Sequence, residues 1–180
     1  MLKGPYKFEG ENSIFEEISD IVNGIYLWCI RINDNAFRVY YVGEAVDIRK
    51  RMRSHLKNRL AGKYTGHDLD SLKDNVRILK HRADEGMVPR FSHIDRKEFN
   101  QEFSDNLHLF YSPLPISGDK NADKSLRCRY ETGLVTHIEN QGQNILTVGH
   151  LRFSKDEKTK VTISTTNSNI EHISNQEISI

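Results

Sequence analysis

The residues whose types and spacing suit chemistry are Tyr26, Tyr41, Arg51 and His55. Phenol and imidazole groups can pass a proton between them, and a guanidinium presents a rigid fork that matches a phosphate bidentately. Tyr26 closes the tripeptide Gly24-Ile25-Tyr26, and Tyr41 opens Tyr41-Val42-Gly43. Alternate strand residues share a face, so each tyrosine stands beside a glycine. Glycine weakens a strand unless something approaches the backbone closely. A substrate phosphate, a bulge or a packed neighbour would each answer to that description. Arg51 and His55 are four apart and lie on one helix face. They border the apolar stripe of Ile48, Met52, Leu56 and Leu60, which positions them to aim into a cleft at the sheet. The plainer alternatives are an ion pair of Arg51 with Asp47, and a hydrogen-bonded His55 at the edge of the core.

Glu131 is the most telling carboxylate. Leu126, Tyr130, Leu134, Val135 and Ile138 form the inward side of its helix, and Glu131 lies against that side. A carboxylate there is expensive unless it is paired or metal-bound. Arg127, four residues earlier, is the structural partner to consider; a hard divalent cation such as Mg²⁺ is the functional one. Asn144, beyond the helix, suits either the orientation of a phosphate or simple turn chemistry.

Net charge is only +1, so no whole-protein field would draw nucleic acid. The distribution is more informative. Arg49, Lys50, Arg51, Arg53, Lys57, Arg59 and Lys63 crowd residues 48–67, where no Asp or Glu occurs. Such a stripe can engage a phosphate backbone and release counterions, or it can be a solvated helix face.

The elements that must position these residues are readable in outline. Ser13 and Glu16 form a capping box for a short helix to about residue 20, with Ile14, Ile18 and Ile21 on one side. Residues 25–32 read as a strand and 37–42 as its antiparallel partner across Asn33-Asp34-Asn35, with Gly43 ending it. Asp47 is the expected N-cap of a helix over 48–60. A second amphipathic helix is expected over 70–84, with Leu72, Val76, Leu79 and Ala83 inward and Gly86 as its C-cap. A shorter helix is expected over 95–103, a third strand over 107–114, and a long helix to about 140 capped by Asn121 or Asp123. Residues 161–164 suit a late strand, and 165–180 read as a weakly ordered tail.

Together these features resemble the GIY-YIG endonuclease superfamily. The residues that carry the resemblance are Gly24-Ile25-Tyr26, Tyr41-Val42-Gly43, Arg51 with His55, Glu131 and Asn144, in the family's order and across residues 22–147. The Arg-xxx-His pairing is similar to the homing and restriction branches. Three departures stand out: a longer GIY-to-YVG separation, Val42 for the middle Ile, and about 45 residues from Arg59 to Phe103 before the third strand. The resemblance implies a small α/β fold, a central three-stranded antiparallel sheet flanked by helices, with a helical insertion at about 59–103. It implies a metal-dependent DNA endonuclease using Mg²⁺ (or Mn²⁺) held by Glu131. Tyr26, Tyr41, Arg51 and His55 would complete the catalytic set. Arg49, Lys50, Arg53, Lys57, Arg59, Lys63 and Asn144 would contact DNA. A restriction-type member would act as a homodimer on a two-fold target. A module that binds nucleic acid without cutting it is the competing expectation.

Length and composition bound these readings. A chain of 180 residues with 28% charged and 37% apolar residues suits one globular domain, here residues 1–150, with 151–180 as an extension. No apolar run approaches the roughly 18 residues of a membrane span. The opening MLKGPYKFEGEN lacks the apolar core of a secretory signal. Two cysteines, Cys29 and Cys128, have no metal-site spacing, so a reducing cytoplasmic setting is expected. No organic cofactor is called for.

Overall fold

The computed structural model describes residues 1–146, 160–165 and 169–180. Its centre is the hairpin of β2 (Gly24–Asn33) and β3 (Ala36–Ala45). The Asn33 side-chain carbonyl accepts from the amides of Asn35 and Ala36, which closes the turn. Strand β3 runs past Gly43 to Ala45, because Gly24, Ile25 and Tyr26 continue to pair with Ala45, Glu44 and Gly43. On the other side of β2 lies β7 (Leu107–Pro113), also antiparallel, and outside it β1 (Lys3–Tyr6). A two-residue strand, β9 (Asn169–Ile170), adds parallel to the start of β3. The sheet therefore has five strands in the order β1-β7-β2-β3-β9, where three were expected. The expected three are its middle; the additions come from segments too short or too polar to read as strands.

A β-bulge shapes the functional face. Trp28 pairs with Tyr41 and Cys29 with Val39, so Tyr40 is the extra residue. Tyr40 and Tyr41 consequently share one face with Tyr26, Trp28 and Ile30. That face packs on Ile48 and Met52 of helix α2 (Ile48–Leu60) and on Phe99 and Phe103 of a later helix, α4 (Arg96–Asp105). The opposite face, with Ile25, Leu27, Cys29, Val39 and Val42, packs on Leu134, Val135 and Ile138 of helix α5 (Lys120–Asn140).

Caps explain where the helices start. Asp47 accepts from the Lys50 amide, as its position predicts. Asp95 accepts from Lys97 and Glu98, and Asp119 rather than Asn121 or Asp123 caps α5. Ser13 caps only four residues, α1 (Ile14–Glu17), which ends before the expected residue 20 and leaves Ile21 exposed. Leu60 is also exposed, at 37%. A strict spacing of four advances 400°, so Ile48, Met52, Leu56 and Leu60 drift about 40° per step out of the core. Arg59 comes round in Leu60's place.

The stretch expected as a second helix is one helical turn, an irregular segment and a strand. Helix α3 (Leu69–Lys73) is a single turn, and Asn75 at φ 60° ends it. Strands β4 (Gly66–His67), β5 (Leu79–Arg82) and β6 (Gly86–Met87) form a small antiparallel sheet. Val76 is exposed, and Gly86 at φ 81° turns the β5–β6 hairpin rather than capping a helix. The insertion is thus mixed rather than helical.

The C-terminal segment is not a loose tail where it is described. Strand β8 (Lys160–Ile163) pairs with β10 (Gln176–Ser179), and Ile163, Ile170, Ile173 and Ile178 are buried with α5's apolar side. The remainder of the expected extension lies outside the described residues. No described helix is long and apolar enough to cross a membrane. Deleting three methylene-sized groups from a buried isoleucine costs about 2–5 kcal/mol. Ile173→Ala and Ile178→Ala should each lower the urea-denaturation free energy by that amount; a dangling tail would give changes within about 0.5 kcal/mol.

Candidate active site

The two tyrosines meet over Gly43. A β-carbon there would fall on the Tyr26 hydroxyl and its ring carbon, and against the Tyr41 ring. The gap beside the phenols is therefore filled by the phenols themselves. Gly24 has a different reason: a β-carbon would strike the Ser112 carbonyl on β7. The rings of Tyr26 and Tyr41 lie 6.0 Å apart at an interplanar angle of 40°.

Helix α2 brings His55 and Arg51 to the same point. Tyr26 Oη lies 2.8 Å from His55 Nε2 and accepts from Arg51 Nε at 3.4 Å. Asp47, the alternative partner of Arg51, is occupied in capping the helix. His55 Nδ1 lies 2.9 Å from Tyr64 Oη, and Asn58 Nδ2 donates to the same oxygen at 3.3 Å. Burial, followed by the charges of Arg51 and Arg59, pushes His55 down to about 3. Burial raises Tyr26 far above the ordinary phenol value, against the pull of Arg51. Both groups are uncharged at neutral pH.

Glu131 joins this set from the opposite face of the sheet, beside the Tyr41 end of β3. Burial and then the charge of Glu44 push it up to about 7, with Arg51 pulling the other way. Its charge also acts on Tyr41. Arg127, the expected structural partner, is turned elsewhere. Its Nε donates to Glu44 at 2.5 Å and its Nη1 to Asn23 Oδ1 at 2.6 Å. Glu131 is thus a half-buried carboxylate next to a second carboxylate whose own cation is spent. Glu44 was not singled out from the sequence, though it directly follows Gly43.

Four of the expected residues come together in contact, Tyr26, Tyr41, Arg51 and His55, and Glu131 is linked to Tyr41 and Arg51 through its charge. The expected DNA contacts divide. Lys50, Arg53, Lys57 and Lys63 are exposed. Arg49 reaches back to the Phe15 and Ser19 carbonyls, pinning the loop after α1. Arg59 offers nothing to a backbone. It is 1% exposed, its guanidinium lies over the rings of Phe103, Tyr64 and Trp28, and its Nη1 donates to the Thr65 carbonyl. Four residues from His55, it faces the core where Leu60 was expected. Asn144 makes a long-range tie rather than a local turn: its backbone and side-chain amides both donate to Asn75.

Among the described residues no group of three or more His, Cys, Asp or Glu gathers into a ready cation cage. Comparison of the chain with protein-family models, with curated proteins and with solved structures found no match.

Four buried histidines weigh on acid stability, His55, His67, His108 and His81, the last also lowered by burial. Burial, with nearby cations, holds His55 at about 3 and His67 and His108 at about 4. The unfolded chain takes protons near 6.5, where the folded one does not. Stability is therefore complete above that value and is lost as pH falls towards 4, by on the order of 1 kcal/mol per pH unit for each histidine. Urea midpoints should decline across pH 6.5 to 4. Arg59→Met should move the His55 titration midpoint upward, read by NMR; an unmoved midpoint would remove Arg59 from its electrostatics.

Proposed function

We propose that this chain is a metal-dependent DNA endonuclease that hydrolyses phosphodiester bonds, as its resemblance to the GIY-YIG superfamily implies. The observation that carries the reading is the meeting of two phenols, an arginine and a neutral histidine, with the charge of an undercompensated carboxylate acting on Tyr41 and Arg51. Buried polar groups are costly, and a purely structural core would do as well with apolar ones.

Each side chain has a role in that reaction. Arg51, exposed and steadied through Nε by Tyr26, grips the phosphate and stabilises charge developing on it. Tyr26 takes the proton of the attacking water while its own hydroxyl proton passes to His55 Nε2. The free chain holds both groups in their neutral forms. A bound phosphate offsets the Arg51 charge that depresses His55, so the proton transfer is favoured when substrate is present. Tyr41 packs its ring beside that of Tyr26 and holds it in place.

The donor chemistry at Glu131 fits a hard divalent ion: an oxygen ligand, half-buried, repelled by Glu44 and not cancelled by Arg127. Glu131 would hold Mg²⁺ or Mn²⁺ with water and phosphate oxygens. Such an ion supplies Lewis-acid stabilisation of the leaving oxygen. Lys50, Arg53, Lys57 and Lys63 provide the sequence-independent grip on neighbouring phosphates.

The exposed cationic side of α2 also favours the second reading, a module that binds nucleic acid without cutting it. The two separate cleanly. Purified chain should nick or cut DNA with Mg²⁺ or Mn²⁺ and stop with EDTA. Glu131→Gln should lose cleavage by about 100-fold or more, on the scale of removing a catalytic group, while retaining salt-dependent DNA affinity. Absence of cutting across duplex, branched and single-stranded substrates would favour the binding module. Discrete plasmid fragments with a dimeric sedimentation profile would mark a restriction-type enzyme.

A further inference from the structure

We propose that Tyr64 is a positioning residue that holds His55 in its Nδ1–H tautomer, leaving the Nε2 lone pair free for the Tyr26 hydroxyl. The proposal deepens the nuclease reading, since it assigns the direction of proton travel in that site.

The argument is a count of donors. The neutral imidazole carries one N–H and one lone pair, and each ring nitrogen faces a phenol oxygen, Tyr26 at 2.8 Å and Tyr64 at 2.9 Å. The groups at the two ends of this chain can only donate through the atoms they present. Arg51 Nε donates to Tyr26 Oη, and Asn58 Nδ2 donates to Tyr64 Oη. Tyr26 accepts from Arg51 and has its own hydrogen to give, and the nearest acceptor is His55 Nε2. Tyr64 accepts from Asn58 and has a second lone pair for the proton on Nδ1. Both ends carry a donor, so burial makes the choice: Tyr26 is 1% exposed and its hydrogen-bonded acceptor is His55 Nε2, whereas Tyr64 is only partly buried and can turn its own hydrogen to solvent. The run Tyr26 O–H to Nε2, then Nδ1–H to Tyr64 Oη, therefore satisfies every member. When the Tyr26 proton moves to Nε2, the doubly protonated ring keeps its Nδ1–H on Tyr64.

Tyr64 is built for a fixed position. Gly62, at φ 68°, turns the chain off the end of α2, and a β-carbon there would strike the Arg96 guanidinium. Arg96 Nη2 in turn donates to the Gly62 carbonyl at 2.8 Å. The Tyr64 carbonyl bonds His81 Nδ1 at 3.0 Å, and the neighbouring Thr65 carbonyl takes Arg59 Nη1 at 3.1 Å. The Arg59 guanidinium lies 5.2 Å from the Tyr64 ring centre. A phenol merely filling space next to a histidine would not need its backbone clamped on two consecutive carbonyls.

The test is a ¹⁵N NMR measurement on the full chain with labelled histidine, which reads the tautomer of His55 without reference to cleavage. Wild type should show a protonated Nδ1 and an unprotonated Nε2. Tyr64→Phe keeps the ring and removes the acceptor, so the population should move to Nε2–H, with a fall of about 10-fold or more in kcat and little change in KM. Asn58→Ala removes a donor to Tyr64 but leaves its oxygen as acceptor, so Nδ1–H should persist there. If Tyr64→Phe does not fold, the wild-type tautomer alone decides. Nε2–H in wild type, or an unchanged tautomer in folded Tyr64→Phe, would overturn the proposal. A wild type that cuts no DNA but shows the stated tautomer and shift would overturn the nuclease reading and leave this assignment standing.

Discussion

The 2.8 Å hydrogen bond between Tyr26 and His55 joins the sheet to helix α2, and most of the site depends on it. Two local exceptions to regular structure make it possible. The bulge at Tyr40 turns Tyr41 onto the face of Tyr26, and the missing β-carbon of Gly43 lets both rings settle over the strand. Regular alternation from Val39 would have sent Tyr41 to the α5 side. A side chain at Gly43 would have displaced the Tyr26 hydroxyl from His55. Arg51, one turn before His55, then has no shorter route than to lean on the same oxygen. The site therefore follows from one strand irregularity and one glycine, while the rest of the fold supplies the walls.

Those walls carry an unusual electrostatic load. Arg59 is buried with its Nε and Nη2 unpartnered, and aromatic faces take the place of a carboxylate. A counter-ion there would have cancelled the charge locally. Ring quadrupoles stabilise the cation without cancelling it, so its field still reaches His55 and His67 and favours their neutral forms. On the other side of the sheet the reverse holds. Arg127 neutralises Glu44, and Glu131 remains against it, held above the usual carboxylate range. One region thus keeps excess positive charge and its neighbour excess negative charge, separated by the two tyrosines.

Much of this was legible where local signals agreed with the tertiary fold. The helix from Ile48 to Leu60 with its Asp47 cap, the Asn33 turn and the long helix ending at Asn140 all have strong local causes. The pairing of Arg51 with His55 on one helix face was readable from their spacing of four, whereas the grouping with Tyr26, Tyr41 and Glu131 rested on the family resemblance, since the bulge that turns Tyr41 has no local signal. Residues 70–84 misled, because Leu72, Val76, Leu79 and Ala83 have helical spacing. The deciding interactions there are distant: Asn75 donates to the Gly142 carbonyl and is bonded twice by Asn144. That tie holds Asn75 in a left-handed conformation and stops the helix. The same tie occupies Asn144, which the resemblance had assigned to phosphate. Four isoleucines scattered among Ser, Thr and Asn have no period, so their burial by α5 was invisible in composition.

Tyr64 lay beyond such reasoning for a related reason. It is nine residues from His55, outside the helix, and reaches it only because Gly62 reverses the chain. What identifies it is hydrogen-bond accounting rather than position. A buried imidazole with two phenol neighbours has two self-consistent proton arrangements, and the deeper burial of Tyr26, whose hydrogen turns to the imidazole, chooses between them. Arg51 and Asn58 sit on α2 on either side of His55, three residues from it in number or four. The helix that supplies the histidine therefore also supplies a donor to each of its two phenol neighbours. A change that preserves His55 but exposes the Tyr26 hydroxyl would free the ring to take the other tautomer without altering the visible arrangement of the site.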